Sequence, residues 1–228
     1  MKKVIAFDAD DTLWINEPLF RKAEEEFCEL MVEFIDIDTC AKKLFDFEMQ
    51  NLPLYGYGIK PFALSLTEAA IQISGGKVTS DILLKIINIG KRMLQAPVVV
   101  LDSVEEVLSA LSRKHNYRLV VATKGDLLDQ ERKLEKSGLS HYFHHIEVMS
   151  DKRPENYMRL VKHLDIEPAS LTMVGNSVKS DILPVLEIGG SAFHIPFHTT
   201  WEHEVVNEPV HHLKYKELTS IQELTGYL

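Results

Sequence analysis

The sequence is poor in cysteine, short of positive charge, and free of long apolar runs. Its two cysteines, Cys28 and Cys40, have no CxxC spacing and no metal-ligating neighbours, which excludes a disulfide framework and a cysteine zinc site. Both fall in amphipathic stretches and read as small buried hydrophobes. Lysine and arginine total 25 against 34 aspartates and glutamates, a formal net charge of −9. Such a surface repels a phosphate backbone, so a nucleic acid polymer is excluded as a partner, and an anionic ligand must be caught locally. No run approaches the ~18 apolar residues of a membrane span. The start, Met1-Lys2-Lys3 followed by Val4 to Phe7, turns acidic at Asp8, well short of a secretory signal. A cytoplasmic protein without membrane attachment is expected.

What is present is ordinary globular material: 228 residues, 45% hydrophobic and 26% charged. Val4 to Phe7 is a continuous apolar run ending in acids, the pattern of a buried parallel strand. Arg118–Thr123, His145–Ser150 and Leu171–Asn176 share the pattern, and Ala192–Ile195 is a weaker fifth strand. Helical stripes lie between them. Val104, Val107, Leu108 and Leu111 form one, and Tyr157, Leu160, Val161 and Leu164 form another that Pro154 is placed to open. Strands alternating with helices predict an α/β fold, a parallel sheet covered by helices on both faces.

Residues 16–96 interrupt that alternation. Phe20, Ala23, Phe27, Leu30, Met31 and Phe34 make a helical stripe, and Ile82, Leu83, Ile86, Ile87 and Met93 make another behind a Thr79 or Ser80 cap. Helical stretches near 39–51 and 63–74 lie between them, separated by glycine-containing turns. The expected organisation is a core built from 1–15 and 97–228, with an all-helical insertion over 16–96.

The strand ends carry the polar residues: Asp8 and Asp10, Thr123, Ser150 to Lys152, and Asn176 to Asp181. In an open parallel sheet, ligands bind beyond the carboxyl ends of the strands, so these distant segments can converge. Phe7-Asp8-Ala9-Asp10-Asp11-Thr12-Leu13 resembles the DxDxT signature of the haloacid dehalogenase superfamily. Thr123 resembles its second motif, Lys152 its third, and Gly175-Asn176-Ser177-Val178-Lys179-Ser180-Asp181 its fourth. A lone DxD is weak, but four motifs in order, each ending a predicted strand, are specific. The insertion resembles the cap that members place between motifs one and two, on a Rossmann-like core.

The resemblance implies a magnesium-dependent phosphatase acting on a small phosphorylated metabolite. Asp8 is then the nucleophile that forms an aspartyl phosphate, and Asp10 the general acid and base. Thr123 donates to a phosphoryl oxygen, and Lys152 sets positive charge against the nucleophile and phosphoryl group. Two adjacent carboxylates call for a cation, and Mg²⁺ suits oxygen ligands. The family assigns it Asp8, Asp10 through its carbonyl, and motif-four groups, here Asn176 and Asp181. The expected substrate contacts are Asp11, Thr123, Lys124, Lys152, and Tyr57 and Lys60 of the insertion. Asn176 departs from the usual aspartate, removing one negative charge from the metal shell. Lys124 and Arg153 compete with Lys152 as the family lysine, and the position ahead of the Pro154 helix favours Lys152.

Other readings stay open. The aspartates can be a solvated turn, Thr123 an ordinary strand end, and Asp181 a helix-start charge. A phosphomutase shares the core motifs, a phosphonatase needs a cap lysine, and a non-catalytic phosphate-binding protein would explain Asn176. Asp10 argues against the dehalogenase branch, which lacks the second aspartate. His194, His198, His203, His211 and His212 lack zinc-site spacing and read as loop and surface residues. The oligomeric state is left open.

Overall fold

The structure is a computed structural model that describes residues 3–228. It divides into two compact units, one over Met1–Glu17, Val98–Lys124 and Gln130–Leu228, the other over Pro18–Pro97 with Gly125–Asp129.

The first unit is a six-stranded, all-parallel sheet in the order β3-β2-β1-β4-β5-β6. The strands are β1 (Lys3–Phe7), β2 (Tyr117–Lys124), β3 (His145–Met149), β4 (Leu171–Gly175), β5 (Ser191–His194) and β6 (Tyr215–Glu217). The helices of this fold are α5 (Val104–Ser112), α6 (Leu127–Lys136), α7 (Pro154–His163) and α8 (Leu183–Glu187). Alternation along the strands sends side chains to two cores. Ile5, Phe7, Leu119 and Val121 pack with α5, whereas Val4, Ala6, Val120 and Ala122 pack with Tyr157, Leu160 and Val161 of α7. Burial on both faces explains why these strands are continuous apolar runs rather than alternating ones.

From β1 the chain winds outward through β2 to β3, then returns to the other side of β1 and winds through β4 and β5 to β6. The topological switch point therefore lies between β1 and β4, where a ligand crevice is expected. The sixth strand was not anticipated from the sequence. Tyr215–Glu217 is three residues long and polar, and only pairing with β5 makes it a strand.

The second unit is helical: α1 (Glu17–Leu30), α2 (Ile37–Tyr55), α3 (Ile59–Ile73) and α4 (Ser80–Gln95). Asp36 caps α2 by accepting from the Thr39 amide at 3.0 Å, and Thr79 caps α4 through the Ile82 amide at 3.3 Å. Phe27, Met31, Leu44, Leu66 and Ile86 form its apolar centre. Gly125–Asp129 joins this unit, with Lys60 Nζ 2.7 Å from Asp126. Cys28 and Cys40 are buried and free. Among the described residues, no helix is long and apolar enough to cross a membrane.

Candidate active site

Asp8 is the first residue beyond β1, and its amide donates to the Val174 carbonyl of β4 at 2.9 Å, continuing the sheet pairing one step past the strand. Asp8 as a residue is 7% exposed, and its two carboxylate oxygens have different partners. Oδ1 accepts from Lys152 Nζ. Oδ2 faces Thr12 Oγ1 at 3.2 Å. Burial raises the Asp8 pKa most; Lys152 lowers it, Asp181 and Asp10 raise it, and the result is about 7.

Lys152 is 3% exposed and lies between β3 and α7. Its ammonium also donates to Asp181 Oδ1 at 2.6 Å. Burial opposes its charge, but Asp181 and Asp8 together hold its pKa well above the usual lysine value. Neither Lys124 nor Arg153 occupies this position. Lys124 Nζ instead reaches Ser180 Oγ at 2.9 Å and Glu204 at 2.5 Å, and Arg153 pairs with Asp151 at 2.6 Å.

Motif four is built around a glycine. A Cβ on Gly175 would stand 2.2 Å from Asp181 Oδ2, so only glycine lets that carboxylate pack against the end of β4. Asp181 is 1% exposed, and its Oδ2 accepts from the Ser177 amide at 3.0 Å. Both its oxygens are thus taken by donors, Lys152 and Ser177. Residues Val178–Ile182 form a π-helical turn, a local distortion often found at functional sites. His194 supports the motif from β5, with Nε2 3.0 Å from the Asn176 carbonyl and Nδ1 3.2 Å from Glu217.

The Asn176 amide identifies which residues can hold a cation. The side-chain atom it turns toward Thr12 lies 3.3 Å from Asp8 Oδ2 and 3.3 Å from the Asp10 carbonyl oxygen. An amide can present either atom there. Its nitrogen donates to both oxygens, whereas its oxygen completes a set of three oxygens with no proton between them. Adjacent oxygens of an octahedral magnesium shell stand about 3 Å apart. Asp8, Asp10 and Asn176 therefore fit a hard cation.

The Asp10 carboxylate is held by donors. Trp14 Nε1 reaches it at 2.7 Å, Gln130 Nε2 at 2.8 Å and Lys133 Nζ at 2.8 Å. Burial pushes its pKa up, but Lys133, Gln130 and Trp14 more than offset this, and the net shift is downward. Asp11 is occupied differently from expectation. It has a φ of 62° and accepts from the amides of Asn16 and Glu17 at 2.8 and 2.9 Å, so it organises the start of α1. Burial raises its pKa to about 7 despite those amides.

Thr123, 1% exposed at the end of β2, has its hydroxyl 3.2 Å from the Lys124 carbonyl. Tyr57 and Lys60 sit in the helical unit, on or beside the turn between α2 and α3. Glu204, absent from the sequence-based site, is partly buried and accepts from Lys124, Ser177 and Ser180. Burial opposes its charge, yet Lys124 and the two serines bring its pKa down to about 2. Nothing in the sequence distinguishes it from other loop acids. Thr12 carried a visible signal, since it is the threonine of the first motif. Among the described residues, His198, His203, His211 and His212 form no metal-ligating cluster.

Comparisons with known proteins identify the family. A family model described as haloacid dehalogenase-like hydrolase matches residues 2–189. No curated protein matches the chain. A haloacid dehalogenase-like family hydrolase from Xanthomonas campestris is 34% identical, with a TM-score of 0.87 over 99% of this chain and 90% of its own. A 2-haloacid dehalogenase from Pseudomonas syringae pv. Tomato, 18% identical, covers 99% and 97% of the two chains at a TM-score of 0.66. A HAD phosphatase from Thermococcus onnurineus, 20% identical, covers 100% and 97% at 0.63. The last two share the fold alone. With the aspartate at the end of β1, the buried lysine after β3, the glycine-led turn after β4 and a family match over most of its length, this chain belongs to the haloacid dehalogenase-like hydrolases.

Proposed function

We propose that this hydrolase is a magnesium-dependent phosphatase that cleaves a small phosphorylated metabolite through an aspartyl phosphate on Asp8. The observation that carries the reading is the division of labour on Asp8. One oxygen is held by Lys152, and the other lies with the Asp10 carbonyl 3.3 Å from the Asn176 amide, a grouping that supports a cation there. When bound there, Mg²⁺ supplies positive charge against the phosphoryl oxygens.

Asp8 attacks phosphorus, forming the acyl–phosphate bond as the bond to the leaving oxygen breaks. Water then attacks phosphorus, phosphate departs, and Asp8 is regenerated. Lys152 keeps positive charge on Asp8 throughout, and Thr123 donates its hydroxyl to a phosphoryl oxygen. The hydrogen bonds from Lys133, Gln130 and Trp14 keep Asp10 ionised. That suits it to remove a proton from the attacking water. To protonate the leaving oxygen in the first step, Asp10 must exchange its Lys133 contact for the substrate and enter that step as the carboxylic acid; the proton it gives up is replaced by the one it takes from the attacking water. Asp181, engaged by Lys152 and Ser177, supports the lysine and contributes charge behind the metal shell. We read the helical unit as the family's cap, with Tyr57 and Lys60 selecting among leaving groups.

The test is release of inorganic phosphate from an aryl phosphate, with and without Mg²⁺, beside release of halide from a 2-haloacid. The reading expects phosphate release that requires Mg²⁺ and is abolished by a chelator. Halide release with no metal-dependent phosphate release would assign the chain to dehalogenation instead.

A further inference from the structure

A second group of ligating side chains lies on the same β–α unit that carries Lys152, on residues the hydrolase site does not use. His145 and Glu147 are two apart on β3, so they share one face of the strand with Met149. Met149 packs with Tyr157, Leu160 and Val161, which identifies that face as the one covered by α7. His163 is the last residue of α7, one turn beyond Leu160. The topology thus brings all three side chains together. His145 Nε2 lies 2.8 Å from Glu147 Oε2, and His163 Nδ1 lies 3.1 Å from the same oxygen. All three ligating atoms fall within 4.8 Å of one another, and the imidazole rings meet edge to face at 4.8 Å.

We propose that His145, Glu147 and His163 form a binding site for a divalent transition-metal ion of the zinc class. Bonds of about 2.0–2.1 Å in tetrahedral geometry place neighbouring ligand atoms roughly 3.3 Å apart, so small side-chain shifts close this trio around one ion. Two imidazoles and one carboxylate suit zinc, cobalt, nickel or copper and not magnesium, which prefers oxygen. The carbonyl end of α7 adds a favourable partial charge for a cation. Arg118, on β2, donates to the Leu164 carbonyl at that helix end at 2.9 Å, and its positive charge works against the ion. The side chains are 31%, 26% and 60% exposed, so the ion is reachable and a water can complete its shell. Bound there, it would clip the edge strand β3 to the end of α7.

The experiment is zinc titration by calorimetry at mildly alkaline pH with saturating Mg²⁺, using wild type, Glu147→Gln and the double variant His145→Ala/His163→Ala. Unchanged melting temperatures without zinc establish that the variants are folded. Wild type should bind one equivalent that raises its melting temperature. Glu147→Gln should bind roughly tenfold or more weakly, and the double variant should lose the equivalent. If the double variant keeps the wild-type stoichiometry, the zinc sits elsewhere, for example on His198, His203, His211 or His212, and the site is refuted. Absence of zinc binding by wild type refutes it equally.

Discussion

The two units of this chain handle charge in opposite ways. The helical unit buries apolar side chains such as Phe27, Met31 and Leu66, and leaves its ion pairs wet. Arg92 and Glu26 pair at 2.5 Å with side chains 55% and 40% exposed, and Lys85 and Asp81 at 3.0 Å with 56% and 73%. The sheet unit buries an ionic cluster instead. Lys152 and Asp181 pair at 2.6 Å with side chains only 2% and 1% exposed, and Asp8, 10% exposed, shares the same ammonium. A wet ion pair contributes little to stability. A buried one brings a desolvation cost that fold stability alone does not explain. The comparison teaches that similar contact distances mean different things, because burial decides what an ion pair costs the fold.

The largest effect expected is on catalysis. Asp8→Asn removes the proposed nucleophile and should lower kcat by roughly three orders of magnitude or more. It also takes the cluster from two carboxylates and one ammonium to one of each. Its melting temperature should therefore equal or exceed that of the wild type, because the raised Asp8 pKa means the folded state holds this carboxylate at a cost. Phosphate release and thermal melts on one preparation check both. A variant that retains activity breaks the comparison, because the buried charge would then serve some other end.

Lys152→Met should come next, on stability. It leaves Asp8 and Asp181 buried without their cation, and loss of one partner from a buried pair costs about 3–5 kcal/mol. Arg92→Ala in the helical unit should cost less than about 1 kcal/mol, the smallest effect of the series. Denaturant unfolding of the two variants side by side reads the contrast directly. Equal losses would show that burial is not what separates the two units.

Glu204 sharpens the comparison through pH. Its folded pKa, about 2, lies below the usual glutamate value, so its stabilisation is present above pH ~4.5 and is lost as the pH falls from there toward 2. The contribution is on the order of 3 kcal/mol. Wild type should lose stability over that acid range, and Glu204→Gln should show a flatter profile. Parallel profiles would remove Glu204 from the network with Lys124, Ser177 and Ser180.

Asn176→Asp should produce a smaller change. A second carboxylate would stand beside Asp8 Oδ2, where the amide atom now lies at 3.3 Å. Like-charge repulsion should lower stability without Mg²⁺, while the extra charge tightens Mg²⁺ severalfold. Magnesium activation curves and metal-free melts test the two halves. An unchanged magnesium requirement would separate Asn176 from the cation.

The strands that frame the site were legible because burial on both faces leaves continuous apolar runs such as Val4–Phe7 and Leu119–Ala122, and their polar ends stand out. α4 was legible through its 3.6-residue stripe and its Thr79 cap. α6 was not, since its sequence Leu127–Lys136 is mostly charged and gives only a thin apolar face. Yet α6 supplies Gln130 and Lys133, two of the groups that hold Asp10. Asp11 shows the opposite failure. Its place beside Asp10 suggested substrate binding, while its φ of 62° turns it to the amides that open α1.

By itself, the sequence determined the alternating α/β order, the helical insertion, and which acidic, hydroxyl and basic residues end the strands. Those properties are local, set by hydrophobic period and by residues near one another in the chain. Tertiary structure decided the partners. Strand order placed β4 beside β1, so that Asn176 meets Asp8, and packing gave both oxygens of Asp181 to Lys152 and the Ser177 amide. It also brought Glu204 to Lys124 across 80 residues of chain. Period and composition describe each segment's own face toward a core, whereas the pairing of buried charges depends on which segments the sheet makes neighbours.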